Sequence, residues 1–240
     1  MKLALDIGNT LVKAGIFENK QLLNVKTSAE FSEKFIKSIT DQYNITSVIL
    51  SSVGKISAKE INYLRNNFHF ILFSATVPVP VTNLYETPET LGNDRLAGVV
   101  AANYLYPSEN VLVIDVGTCI TYDFIDVKGK YCGGSISPGL SMRFKALNTF
   151  TEKLPLVSLI NFKELVGTNT EKSILSGVIN GVVSEVDSII NQYSENYSSL
   201  KTIICGGDSQ FLADRLKNCI FAIPELVLKG LNEILDYNEL

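Results

Sequence analysis

The stretches LALDIGNTLVKAGIF, residues 3–17, and VLVIDVGTCITYDFI, residues 111–125, carry the same pattern twice in one chain. Each begins with an apolar run typical of a buried strand, passes through Asp-x-Gly with a following Asn or Thr, and ends in a second strand-like run. Asp6 then aligns with Asp115, and Gly8 aligns with Gly117. The repeat predicts an α/β protein built from two like halves.

The chemistry of the repeated turn points to a nucleotide. An aspartate that ends a buried strand can hold a hydrated Mg²⁺, and a glycine lets backbone N–H groups approach phosphate oxygens closely. The glycine pair Gly206-Gly207 follows a third apolar strand and adds a similar turn. Neither Gly54-Lys55 nor Gly129-Lys130 lies in a Walker A motif, and the chain lacks G-x-G-x-x-G. The pattern therefore predicts a nucleotide clamped between two halves by a different architecture.

The rest of the chain repeats the order of strands and helices. Each half is predicted to start with three strands, and the helices of the second half are predicted at 139–149, at 169–193 and behind Gly206-Gly207-Asp208. In the first half, Thr27-x-x-Glu30 has the form of a capping box and predicts a helix that opens there. The boundary is predicted near Asn110, which gives domains 1–110 and 111–240.

Composition and charge exclude several classes of protein. Apolar residues make up 46% of the chain and charged residues 19%, which favours a packed globular protein over a disordered one. The net charge is −4 and no stripe of Lys or Arg is present, so the pattern argues against a nucleic-acid partner. The apolar run before Asp6 is too short for a signal peptide or a membrane span. We therefore expect a cytoplasmic protein without a membrane partner.

Cysteine and histidine chemistry is not indicated. Cys119, Cys132, Cys205 and Cys219 have no C-x-x-C spacing, so we interpret them as reduced thiols that pack as small apolar groups. His69 is the single histidine and is flanked by phenylalanines, which favours a structural role. Acid–base chemistry therefore falls to carboxylates.

The segment Leu91-Gly92-Asn93-Asp94-Arg95 stands where a helix from Asn93 to about Tyr104 is predicted to open. Asp94 and Arg95 could simply be an anion at a helix N-terminus and a solvated cation. Alternatively, they offer a proton acceptor beside an anion-binding fork. A further segment, Tyr131–Gly139, is either a tight hairpin end or a turn whose N–H groups could donate hydrogen bonds to a phosphate.

Taken in order, these segments resemble the type III pantothenate kinases. The matching phrases are DIGNT (6–10), LGNDR (91–95), DVGTCIT (115–121) and GGSISPGL (133–140), followed by KALNTFTEKLP (145–155) and NTEKSILSG (169–177). The resemblance implies membership of the acetate and sugar kinase, Hsp70 and actin superfamily. It implies two duplicated ribonuclease H-like (actin-like ATPase) domains with the active site in the cleft between them.

The resemblance also implies roles for individual residues. Asp94 would be the catalytic proton acceptor, and Asp115 would bind a monovalent cation, K⁺ or NH₄⁺. Asp6 would interact with Mg²⁺, in an indirect manner. The expected ATP contacts are Asp6, Ile7, Gly8, Asn9, Thr10, Leu11, Val12, Lys13 and Thr118. The expected pantothenate contacts are Tyr85, Gly92, Asn93, Asp94, Arg95 and Thr170.

The implied reaction is transfer of the γ-phosphoryl group from ATP to pantothenate, the first step of coenzyme A biosynthesis. Family members are homodimers, so Thr170 is expected to serve the site of a partner subunit. Arg95 would hold either the substrate carboxylate or a phosphate oxygen. Two alternatives stay open at this point: a non-catalytic transcriptional accessory protein of the same fold, and a kinase for another small alcohol.

Overall fold

The computed structural model describes residues 1–54, 56–218 and 220–239, and the chain divides into two compact units. The first unit comprises Met1–Ser108, Ile125–Cys132 and Glu225–Leu240, and the second comprises Glu109–Phe124 and Gly133–Pro224. The sequence predicts two halves of a duplicated chain, domains 1–110 and 111–240. This division of the chain stays a prediction.

The first unit is built on a sheet with the strand order β3-β2-β1-β4-β5. These strands are β1 (Lys2–Ile7), β2 (Val12–Glu18), β3 (Gln21–Ser28), β4 (Ser47–Ser52) and β5 (His69–Leu72). Strand β2 is antiparallel to β1 and β3, whereas β4 is parallel to β1 and β5. The unit also contains α1 (Glu33–Thr40), α2 (Ala58–Asn67), the short strand β6 (Thr82–Asn83), α3 (Asn93–Leu105) and α7 (Leu226–Asn238).

Both faces of the first sheet are covered by helices. Leu3 and Leu5 of β1 join one core cluster with residues of α1 and α2. Helices α3 and α7 pack against each other, and a Cβ on Gly230 would lie 1.8 Å from the carbonyl oxygen of Ala97. Only glycine allows two helix backbones to approach so closely. The pair of helices therefore forms a tightly packed layer.

The second unit contains a sheet in the order β11-β10-β7-β8-β9. Its strands are β7 (Val111–Val116), β8 (Cys119–Ile125), β9 (Lys130–Pro138), β10 (Lys201–Cys205) and β11 (Phe221–Ala222). Strand β10 is parallel to β7 and β11. The helices α4 (Leu140–Thr149), α5 (Thr170–Asn196) and α6 (Ser209–Ala213) belong to this unit. The first residues of β9, Lys130 and Tyr131, lie in the first unit and pair with β6.

The two sheets share one connectivity. Three consecutive strands lie side by side in each sheet, and the first of them is flanked on its other edge by a parallel strand that comes later in the chain. Strands β1 and β7, which carry the repeated sequence, occupy equivalent central positions. The duplicated α/β architecture predicted from the sequence is therefore confirmed.

The predicted start of the first helix is wrong. Thr27 and Ser28 belong to β3, where Ser28 pairs with Val12 of β2. Helix α1 begins at Glu33, and its N-cap is Ser32, whose side chain accepts a hydrogen bond from the backbone N–H of Phe35. Pairing with β2 therefore outweighs a local capping signal, because a sheet ladder satisfies more backbone groups than one cap.

Helix α5 is 27 residues long. Among the described residues it is the one helix long and apolar enough to cross a membrane, and half of its most apolar window is buried in the protein. Ile174, Val178 and Val182 on its inner face belong to the core of the second unit. We interpret α5 as a core helix, since its buried face is occupied by the sheet.

The thiols have different environments. Cys119, Cys132 and Cys205 form no disulfide in the described part of the chain. Cys205 is buried in β10, whereas Cys132 is exposed. The prediction for Cys219 lies outside the described residues.

Candidate active site

The turn after β1 is closed by a backbone hydrogen bond and has an exposed tip. The N–H of Gly8 donates to the carbonyl oxygen of Leu11 at 3.1 Å, which closes the turn. Asn9, Thr10 and Leu11 are exposed, whereas Asp6 at the strand end is half-buried. The loop therefore presents its small polar residues to solvent while the sheet holds the aspartate.

The sheet places two polar residues beside Asp6. Asp6 pairs with Lys13 on β2 and with Ser51 on β4, and side chains of paired residues point to the same face. Ser51 is 1% exposed, and within the described part of the chain its hydroxyl has no hydrogen-bond partner. Buried polar groups are nearly always hydrogen-bonded. Among the described residues, Ser51 is thus a buried polar group beside Asp6 that departs from this rule.

Helix α3 begins at the same edge of the sheet. Strands β1, β4 and β5 are parallel, so their carboxyl ends lie at one edge. Phe73 lies just beyond the end of β5, and its carbonyl oxygen accepts a hydrogen bond from the side-chain amide of Asn93 at 3.1 Å. Neighbouring strands lie about 4.8 Å apart, which puts the ends of β1 and β5 roughly 10 Å apart. Asp6 and the N-terminus of α3, which carries Asp94, thus lie at one edge of the sheet.

A local hydrogen bond fixes Asp94. Its Oδ1 accepts the backbone N–H of Arg95 at 2.9 Å, in the first turn of α3. A Cβ on Gly92 would lie 2.5 Å from that Oδ1, so the glycine leaves room for the carboxylate. The first turn of a helix also favours a negative charge. One oxygen of the Asp94 carboxylate is therefore paired within the first turn of its own helix.

Arg95 and Tyr85 meet on the same side of the first unit. Arg95 is 8% exposed, and its guanidinium carbon lies 5.5 Å from the ring centroid of Tyr85. The Tyr85 ring in turn stacks on Tyr131, with centroids 6.1 Å apart and planes 5° apart. The N–H of Leu84 donates to the carbonyl oxygen of Tyr131 at 3.0 Å, as part of the contact between β6 and β9. The arginine therefore lies beside an aromatic pair within the first unit.

Tyr131 lies beside the candidate site residue Tyr85, and the sequence does not indicate this contact. The sequence signal in its own segment comes from glycines and a proline. No spacing signal could have found it, because its contact with Tyr85 spans a long stretch of sequence.

In the second unit, the turn after β7 is enclosed by the turn after β10. Gly206 has a φ of +92°, and a Cβ there would lie 2.4 Å from Oδ1 of Asp115. The N–H of Asp208 donates to the carbonyl oxygen of Val116 at 3.0 Å, and burial raises the pKa of the Asp208 carboxyl. Glycine is therefore required where the backbone passes the Asp115 carboxylate.

The GGSISPGL segment also packs on this turn. The N–H of Gly139 donates to the carbonyl oxygen of Thr118 at 3.1 Å, and a Cβ on Gly139 would lie 2.2 Å from the carbonyl oxygen of Gly117. Gly139 is also the N-cap of α4. Asp115, Thr118 and the start of α4 are thus assembled in one place. Thr170, the exposed first residue of α5, takes part in none of these contacts.

The carboxylates fit a metal that arrives with a nucleotide. The described residues contain no group of three or more His, Cys, Asp or Glu that could hold a metal ion alone. Mg²⁺ usually needs one or two carboxylates together with substrate phosphates. Asp6, half-buried at a strand end beside the exposed turn, fits that role.

The chain is similar to proteins of one family over its whole length. A family model described as "Type III pantothenate kinase" matches residues 2–192. A protein of that name from Phocaeicola vulgatus is 48% identical over 240 residues, covering 100% of this chain and 99% of the relative. The protein of the same name from Christiangramia forsetii is 44% identical, again covering 100% of this chain and 99% of the relative.

Solved structures with a similar fold include kinases. A ROK family glucokinase from Streptomyces griseus, in complex with glucose and AMPPNP, has a TM-score of 0.56 at 11% identity, covering 98% of this chain and 99% of the glucokinase. A Campylobacter jejuni protein provisionally described as a Baf family transcriptional activator has a TM-score of 0.61 at 24% identity, covering 99% and 98%. At these identities the likeness shows the fold alone, which this chain shares with a glucokinase and with the Campylobacter jejuni protein.

Proposed function

The chain belongs to the type III pantothenate kinase family, and we propose how its own residues carry out the family's reaction. The protein is an ATP-dependent kinase that phosphorylates pantothenate, giving 4′-phosphopantothenate for coenzyme A biosynthesis. The observation that carries this conclusion is the similarity to named relatives over the full length of the chain. The roles of individual residues below are proposals supported by their geometry.

The ATP phosphates are held by the loop from Asp6 to Lys13 and by Thr118. Support comes from the closed turn at Gly8, whose neighbours are exposed, and from the exposed position of Thr118 beside the N-terminus of α4. Phosphoryl transfer depends mainly on positioning and on neutralising spread negative charge. The N–H of Gly8 is paired with Leu11, so we assign part of that neutralisation to the backbone N–H groups at the exposed tip of the loop, Asn9 and Thr10.

Mg²⁺ and a monovalent cation complete the charge balance. Mg²⁺ that arrives with ATP would neutralise phosphate charge, and Asp6 would hold it indirectly. Asp115 would hold K⁺ or NH₄⁺. A Cβ on Gly206 would lie close to both the Asp115 carboxylate and the carbonyl oxygen of Val116, so two oxygen ligands of the kind that K⁺ prefers lie near each other.

Asp94 accepts the proton of the pantothenate hydroxyl. Its Oδ1 is occupied by the N–H of Arg95, so Oδ2 is the atom that we assign to the hydroxyl proton. The proton moves to Oδ2 as the hydroxyl oxygen bonds to the γ-phosphorus, while the bond from that phosphorus to the β,γ-bridging oxygen breaks and ADP leaves. The shared sheet edge of Asp6 and Asp94 supports this assignment.

Pantothenate is bound by Tyr85, by Gly92–Arg95 and by Thr170. We assign Arg95 to the pantothenate carboxylate rather than to a phosphate oxygen, because its guanidinium lies against the ring of Tyr85. A planar guanidinium binds a carboxylate with two parallel hydrogen bonds. Arg95→Gln is therefore expected to raise the KM for pantothenate and to leave the KM for ATP unchanged.

The protein acts as a cytoplasmic homodimer in which Thr170 serves the partner's site. The segment before α5 exposes large apolar side chains, with Phe150 at 86%, Leu165 at 78% and Val166 at 73%. Ser176 donates to the carbonyl oxygen of Leu165 at 2.5 Å and holds this segment along α5. Exposed apolar patches mark interfaces. Leu165→Asp is expected to shift the mass measured by light scattering towards a monomer, and a wild-type monomer would contradict the proposal.

The assay for the whole proposal is ADP release from ATP with a panel of pantothenate-like alcohols, with and without K⁺. We expect release with pantothenate, dependent on the cation. Release with another alcohol alone would favour a different small-molecule kinase. The absence of release with every alcohol would favour a non-catalytic regulator, a reading that the fold similarity to the Campylobacter jejuni protein does not by itself support.

A further inference from the structure

We propose that Arg143, Glu185 and Tyr122 form a positioning network for the ATP-binding turn at Thr118. This inference rests on the proposed contact between Thr118 and ATP. Arg143 lies one helical turn after Gly139 in α4, Glu185 lies in α5, and Tyr122 lies in β8. None of these residues is assigned a contact with a substrate.

The arginine ties two segments to α5. Arg143 Nη2 donates to Oε2 of Glu185 at 2.5 Å and to the hydroxyl of Ser137 at 2.9 Å. Arg143 Nε donates to the carbonyl oxygen of Pro138 at 2.8 Å. The guanidinium therefore holds the two residues that immediately precede Gly139.

The other oxygen of Glu185 reaches the strand that follows Thr118. Oε1 of Glu185 accepts the hydroxyl of Tyr122 at 3.0 Å, and Tyr122 is fully buried. Burial would raise the pKa of Glu185, but hydrogen bonds from Arg143, Ser137 and Tyr122 lower it below its usual value. Burial is the largest cause that raises the pKa of Tyr122, and the negative charge of Glu185 is the second. The tyrosine therefore keeps its proton and remains a donor. One ionised carboxylate thus joins α4 to β8.

The residues held by the network lie on both sides of the contact between Gly139 and the Thr118 turn. On one side, Arg143 fixes Pro138, the residue before Gly139. On the other side, Tyr122 fixes the strand that begins after Thr118. Between them, Gly139 packs against Gly117 and donates to the carbonyl oxygen of Thr118. A shift of Ser137 and Pro138 would therefore move the N-terminus of α4 relative to the turn.

The network is better suited to positioning than to stability. The side chains of Arg143 and Glu185 are 22% and 26% exposed, and ion pairs that water can reach contribute little to folding. Their geometry is nevertheless directional, because one guanidinium contacts three partners. A misplacement of about 1 Å in a positioning element can cost up to ~10²-fold in rate.

The test compares Arg143→Ala, Glu185→Gln and Tyr122→Phe with wild type in the ADP-release assay. We expect Arg143→Ala to raise the KM for ATP about tenfold, with a smaller rise for the other two and no change in the KM for pantothenate. Lys145→Ala is the matched control, because it removes an exposed positive charge from the same helix and should leave both KM values unchanged. Thermal unfolding of each variant is recorded in parallel.

A conservative variant separates positioning from simple stabilisation. Arg143→Lys keeps a charge for Glu185 but lacks the planar fork that reaches Ser137 and Pro138. We expect it to unfold at nearly the wild-type temperature while keeping a raised KM for ATP. KM values that follow the unfolding temperature across the series would overturn the inference, because they would indicate a structural role alone.

Two other outcomes also decide the matter. A rise in the KM for ATP in Arg143→Ala, with no effect of Glu185→Gln or Tyr122→Phe, would mean that the arginine acts on the nucleotide directly, and would refute the network. Unchanged KM values in all variants, with active wild type, refute it too. Wild type without activity towards pantothenate would instead refute the proposed function.

Discussion

Replacing Gly92 by alanine should impair catalysis while leaving the fold intact. The backbone at Gly92 has φ −59° and ψ 129°, which alanine adopts without strain. The new methyl group would meet Oδ1 of Asp94 at 2.5 Å, whereas the next nearest atoms, in the Arg95 side chain, lie at 3.6 Å. The methyl group therefore displaces the carboxylate and little else.

The size of the effect follows from that contact. Ordinary contacts to a Cβ begin near 3.4 Å, so the carboxylate oxygen must move by about 1 Å, enough to cost up to ~10²-fold in kcat. The stability cost should be small. Alanine is a poorer N-cap than glycine by up to ~1 kcal/mol. It also lowers the conformational entropy of the unfolded chain, which stabilises the fold by a comparable free energy.

The assay is ADP release at saturating pantothenate, so that a weaker KM does not mask the change in kcat. Gly181→Ala is the matched control, because that exposed glycine in α5 has nothing within 4 Å of a new Cβ. It should keep kcat and gain slightly in thermal stability. A folded Gly92→Ala variant with wild-type kcat would refute the reasoning, since the position of Oδ1 would then be irrelevant to the reaction.

Three further outcomes are expected. Asp94→Asn should lower kcat by at least ~10²-fold, the usual size of a general-base effect, while ATP still raises the unfolding temperature; wild-type turnover would remove Asp94 from this role. Gly230→Ala should lower the free energy of unfolding in urea by ~1–3 kcal/mol, because its Cβ would lie 1.8 Å from the backbone oxygen of Ala97; an unchanged value would mean that α3 and α7 separate easily. The pKa of Glu185 is lower in the folded state, so its contribution to stability is fully present above the unfolded pKa of about 4.3 and is lost as the pH falls through the folded value. The stability difference between wild type and Glu185→Gln should therefore shrink between pH 7 and pH 3, and a constant difference would contradict the ion pair.

Sequence reasoning succeeded where the signal was local. The strand before Asp6 and the helix that opens at Asn93 were predicted from apolar runs and end signals, and both are confirmed. It failed at Thr27, because a capping pattern says nothing about the neighbouring strand that claims the same residues.

Several contributors to the candidate site could not be found in this way. Tyr131 stacks on Tyr85, and Glu185 pairs with Arg143, across long separations in sequence. Their residue types are common in ordinary surfaces and cores. Nothing in their spacing distinguishes them from such positions.

By itself, the sequence determined the duplicated α/β class, the family and the aspartates at the start of its turns. Periodicity and short motifs involve residues that are close together along the chain, so they can be recognised without the fold. Only the tertiary structure decided that Gly139 and Gly206 pack against the Asp115 turn and that Arg143 donates to Glu185 on a different helix. The physical reason is that these contacts depend on how strands and helices align in space. That alignment is set by the packing of the whole unit rather than by any one segment.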